Sequence, residues 1–105
     1  MVGALTIGTA GEAAAHWTYS YHGSDFTSVS YEHDNANVFD MECDGNYVSV
    51  DYRLMNSTST PRSVTDWDGC NRGGGGTGFL PSDVYKFRTC EANVGCAPWV
   101  YPLDG

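Results

Sequence analysis

The sequence predicts an all-β domain, a small antiparallel β-sandwich or barrel of six to seven short strands with two disulfides. Three observations carry that expectation. Apolar and polar residues alternate with period two in several short runs, the pattern of strands with one buried face. Turn residues interrupt these runs at roughly ten-residue spacing, and long helix-forming runs are absent. Four cysteines, an even count, sit in a chain of 105 residues, a size at which a thin core calls for staples.

Taken in order, His16 to Tyr21 (HWTYSY) reads as the first strand, with Trp17, Tyr19 and Tyr21 on one face. His22 to Asp25 is a turn. Phe26 to Glu32 reads as a second strand, Val29 and Tyr31 opposite Ser28 and Ser30. His33 to Asn37 is a polar connection. Asn37 to Leu54 (NVFDMECDGNYVSVDYRL) then reads as a β-hairpin around Asp44-Gly45, a strong turn pair. The register that sets Cys43 opposite Val48, Met41 opposite Val50 and Phe39 opposite Tyr52 places every apolar residue on one face. The outer face then carries Asp40, Glu42 and Asp51, with Arg53 beside them.

Beyond the hairpin, Asn56 to Pro61 reads as a loop. Ser63 to Trp67 is a short strand with Trp67 inward and Asp66 and Asp68 outward. Cys70 to Gly78, with its GGGG run, reads as a flexible loop, and Leu80 to Asp83 as a turn. Val84 to Cys90 is a strand, and the tail PWVYPL, Pro98 to Leu103, is an edge strand limited by its prolines.

Strand parity chooses among the three ways of pairing four cysteines. Cys43 falls on the inward face of its strand. Cys90 falls with Lys86 and Arg88, opposite Tyr85 and Phe87. Cys90 therefore closes a local loop to Cys96, which leaves Cys43 for Cys70. The longer bridge closes about 28 residues, worth roughly 3–4 kcal/mol by chain entropy. Zinc is the rival use of these residues, but no C-x-x-C or paired histidine spacing is present. Disulfides imply an oxidising compartment, so a secreted protein is expected. The small-residue run of residues 1–15 ends in an A-x-A site at Ala13 to Ala15. It reads as a signal-peptide remnant or a disordered tail, with residues 16–105 forming one domain.

Thirteen acidic residues against five basic ones give a net charge of −8. Such a chain repels phosphate backbones and anionic lipid, so neither nucleic acid nor membrane is an expected partner, and no cofactor is expected. The glycine run lacks the Lys-Ser/Thr of a phosphate loop, and no serine sits in G-x-S-x-G. Asp66 and Asp68 flank Trp67 in the manner of a sugar-cleaving pair, yet so small a domain rarely builds a deep cleft. Asp40, Glu42, Asp44 and Asp51, with Gly45, fill positions 1, 3, 5, 12 and 6 of a calcium loop. Against that, the flanks are strand-like, and extended residues two apart lie about 7 Å from each other. The aromatic residues carry more weight: seven tyrosines and three tryptophans suit contact surfaces, having an apolar body and a polar tip.

The series CDGNYVSVDYRL, DWDGC and FRTCEANVGCAPWV resembles small secreted proteins of actinobacteria. The likeness spans Tyr21 to Trp99 and rests on Cys43, Asp44, Gly45, Cys70, Phe87, Arg88, Cys90, Glu91, Gly95, Cys96 and Trp99. Among such proteins the chain is similar in kind to the adaptor subunit of streptomycete umbrella toxin particles. That resemblance implies a non-enzymatic protein that joins other secreted proteins, its N-terminal segment docking in a partner. Trp17, Tyr19 and Tyr21 are the contact residues it points to. A secreted inhibitor of a protease or glycosidase, using the loop Asn71 to Gly78, is the alternative expectation. A calcium- or carbohydrate-binding module is another.

Overall fold

The computed structural model describes residues 16–70 and 73–104. The expected leader or tail at residues 1–15 lies outside the described residues. The described residues form eight strands: β1 (Thr18–His22), β2 (Asp25–Val29), β3 (Ala36–Phe39), β4 (Val48–Leu54), β5 (Ser57–Thr65), β6 (Gly75–Gly76), β7 (Val84–Glu91) and β8 (Gly95–Cys96). A 3-10 turn follows at Pro102–Asp104. The strands form two antiparallel sheets, β1-β2-β3-β6 (sheet one) and β5-β4-β7-β8 (sheet two). The chain is thus an all-β sandwich, as the sequence predicts.

The core lies between the sheets. Sheet one contributes Val29, Ala36 and Val38, and sheet two contributes Val48, Val50, Tyr52, Leu54, Val84 and Phe87. Each fully buried valine, leucine or phenylalanine is worth roughly 1.5–3 kcal/mol. Farther along the sandwich the filling turns polar. Thr89 N–H donates to Ser20 Oγ (3.0 Å), Thr89 Oγ1 donates to the Ser20 carbonyl (2.8 Å), and Thr27 and Thr89 share a 3.0 Å hydroxyl bond. These bonds tie sheet one to sheet two where side chains of this size would otherwise leave unpaired buried groups.

The disulfides pair as expected, Cys43 with Cys70 and Cys90 with Cys96. The central hairpin does not form. β3 pairs with β2 and β6, while β4 pairs with β5 and β7. Both edges of each strand are taken, so the two cannot meet. Residues 40–47 instead cross from one sheet to the other. The inward face of β3 is also the opposite one: Val38 is buried, Phe39 faces out, and Met41 and Cys43 are exposed. The cysteine pairing therefore holds although Cys43 is not inward. The crossover is fixed by Asp66, whose Oδ2 accepts Asp40 N–H (3.0 Å) and whose Oδ1 accepts Asp68 N–H (3.1 Å).

Further local readings change for the same reason. Asp66 is buried and Trp67 is 71% exposed, the reverse of the predicted alternation. Ser57 to Pro61, read as loop, belongs to β5. This is an edge strand, where proline is tolerated because no neighbour needs its missing N–H. Tyr31 lies beyond β2 and is exposed. A register irregularity between the partners of Arg53 and Leu54 skips Tyr85, which packs edge-on against Tyr101 at 5.5 Å. Residues 75 and 76 of the glycine run are paired to β3 rather than free. A Cβ at Gly74 would stand 2.5 Å from the Phe39 ring and 2.7 Å from the Val38 carbonyl. Close approach of backbone to β3, not flexibility, explains that glycine.

Candidate functional site

The outer face of sheet one gathers the aromatic residues. In β1 the inward residue is Ser20, so Trp17, Tyr19 and Tyr21 point outward; they are 47%, 45% and 62% exposed. Their shared face matches the sequence reading. The antiparallel register sets Tyr21 opposite Phe26 and Phe26 opposite Phe39. The rings form one continuous patch: Tyr19–Tyr21 centroids at 6.2 Å, Tyr21–Phe26 at 5.9 Å and Phe26–Phe39 at 4.9 Å. A parallel row, Tyr19, Ser28 and Asn37, runs beside it. Trp17, Tyr19, Phe26, Ser28, Asn37 and Phe39 line a shallow groove of about 440 Å³.

Phe26 and Phe39 are members that sequence reasoning missed. The alternation of Phe39, Met41 and Cys43 with Val38, Asp40 and Glu42 predicts Phe39 inward, because that phase carries the more apolar residues. Its neighbour Val38 wins the inward position because the space between the sheets admits a valine packed against sheet two. Among the described residues, nothing pairs with the outer edge of β1. That edge carries no proline, lysine or carboxylate, the devices that usually discourage strand addition.

The predicted calcium set is divided. Asp51 lies on the outer face of sheet two, 2.9 Å from Arg88 Nη2 and also bound to Arg53. Asp40, Glu42 and Asp44 lie in the crossover itself, beside Asp25 and Glu91. Burial, followed by the charges of Glu42 and Asp40, pushes the Asp25 carboxyl up to about 6, against the lowering effect of Met41 N–H. Contact with Asp44, then burial, raises Glu91, and the same contact lowers Asp44. Asp66 and Asp68 do not form an open acid pair, since both Asp66 oxygens accept backbone N–H groups.

No family model matches the chain, and no curated protein or solved structure is significantly similar to it.

Proposed function

We propose that this chain is a secreted, non-enzymatic protein-binding module, an adaptor or assembly subunit that docks a partner on the aromatic face of sheet one. The observation that carries this reading is the continuous patch of Tyr19, Tyr21, Phe26 and Phe39, with Trp17 lining the same groove, beside a β1 edge that no other described strand pairs. Aromatic rings clustered on an exposed surface are the usual anchors of protein contacts. The β1 edge, which no other described strand pairs, offers N–H and C=O groups to an extended partner segment, while the rings give its side chains somewhere to pack.

The stacking favours a protein over a sugar. Phe26 and Phe39 lie nearly parallel, 25° apart at 4.9 Å, so each covers a face of the other that a sugar ring would need. The two disulfides support an oxidising, extracellular setting. The likeness to actinobacterial toxin-particle adaptors makes larger subunits of such a particle the first partners to look for. The inhibitor reading loses support from the glycine run, since Gly74 to Gly76 pack against β3 rather than project.

The test is affinity purification of the tagged protein from the producing organism's culture supernatant, with mass spectrometry of what accompanies it. A larger secreted protein in stoichiometric amount is expected, lost when Trp17→Ala and Tyr19→Ala are combined. Recovery of the chain alone, or a partner retained unchanged by the double variant, would overturn the reading.

A further inference from the structure

One end of the sandwich is closed by carboxylates. Asp25 opens β2, Glu91 ends β7, and Glu42 lies in the crossover between the sheets. Each offers an oxygen, and the three oxygens lie within 4.8 Å of one another. Asp25 is fully buried and Glu91 is 5% exposed. Asp40 adds its charge beside Asp25, and Asp44 touches Glu91. Among the described residues, the ion-pair partner at these carboxyl groups is His22, whose Nδ1 lies 3.2 Å from Glu91 Oε1. Arg53, Lys86 and Arg88 are engaged elsewhere, on Asp51 and the Trp99 ring.

A second observation is independent of this crowding. Asp25 Oδ1 accepts Met41 N–H at 2.8 Å, but Oδ2 is buried with no hydrogen-bond partner. A buried carboxylate oxygen with nothing to accept from is costly, and a bound cation removes the cost. The ligands are also held in place. Glu42 Oε2 accepts Ser24 N–H at 2.8 Å, and Met41 N–H fixes Asp25, so the β1–β2 turn and the crossover position each other's carboxylates.

We propose that Asp25, Glu42 and Glu91 form a calcium-binding site that locks this end of the sandwich. The donors are all oxygen, which suits a hard cation. Ca²⁺ binds oxygen at 2.3–2.6 Å, so oxygens on opposite sides of one ion are about 5 Å apart. The observed separation falls inside that limit. Mg²⁺, at 2.0–2.1 Å, demands a stricter octahedron and gives up its waters reluctantly. Waters and nearby carbonyls complete the coordination. The ion joins three segments distant in sequence and sits one residue from Phe26, at the margin of the aromatic face. The site is independent of the binding function proposed for that face.

The experiment is thermal melting and titration calorimetry of the full chain after treatment with a chelator, with Ca²⁺ or Mg²⁺ added back. Calcium is expected to bind one to one and to raise the melting temperature by roughly 5–10 °C at tenfold excess over Kd. Asp25→Asn keeps an acceptor for Met41 N–H and should remove the shift. Glu42→Gln, at a less buried position, reads the same loss should Asp25→Asn fold poorly. Asp51→Asn should leave the shift intact. No shift with millimolar calcium, an equal shift with magnesium, or a shift kept by both site variants would overturn the proposal.

Discussion

On sheet two an outward tryptophan lies against three cations, whereas on sheet one no described cation lies over the outward rings. Trp99 has Arg88 at 4.1 Å, Lys86 at 4.3 Å and Arg53 at 5.1 Å from its ring centre. The segment that delivers it runs beside β7. Ala97 N–H donates to the Thr89 carbonyl, and Phe87 and Val100 exchange two backbone bonds of 2.8 and 2.9 Å. That face is finished within the chain: its ring is engaged by cations and its central strand is covered on the C-terminal side. The rings of sheet one have no such partners among the described residues. The same residue types serve stability where cations and a covering segment reach them, and contact where neither does.

The largest effect is expected from breaking the finished face. Trp99→Ala removes three cation–ring contacts of about 0.5–1 kcal/mol each, along with packing, for a loss of about 2–3 kcal/mol. Urea unfolding measures it, and a loss below half a kcal/mol would mean that the cations do not hold the tail. A smaller effect follows from Asp51, whose two oxygens hold Arg53 and Arg88 in position. Asp51→Asn should cost about 1 kcal/mol, since these groups are only partly exposed, and less in 1 M salt. A cost unchanged by salt would point to lost packing instead. The smallest effect sharpens the contrast from the other side. Tyr21→Ala, at a ring 62% exposed, should change stability by no more than about 0.5 kcal/mol. A loss of 2 kcal/mol or more would show that the sheet-one patch, like Trp99, is structural.

The candidate face was half legible in advance. Trp17, Tyr19 and Tyr21 alternate with polar residues around an inward serine, so their common face follows from the pleat alone. Phe26 and Phe39 did not follow, because an aromatic in a strand is read as core unless a competitor for the inward position is known. The calcium cluster was less legible still. Asp40, Glu42 and Asp44 attracted attention as neighbours in sequence, yet the proposed ligands come from β2, the crossover and β7.

By itself the sequence determined the all-β class, the common face of Trp17, Tyr19 and Tyr21 in β1, the inward faces of β4 and most of β7, and the disulfide pairing. The class and the faces rest on period-two geometry within single strands, and the pairing rests on the short loop from Cys90 to Cys96, which leaves Cys43 for Cys70. Only the tertiary structure decided which strand lies beside which. Asp44-Gly45 turns the chain equally well into a hairpin or across to a second sheet, and the choice depends on β2, β5, β6 and β7 occupying the edges of β3 and β4. The same non-local choice turned Phe39 outward, buried Asp66, pressed the glycine run against β3 and brought Asp25, Glu42 and Glu91 together. Strand edges are satisfied by whichever partner buries the most apolar surface, and that partner is distant in sequence.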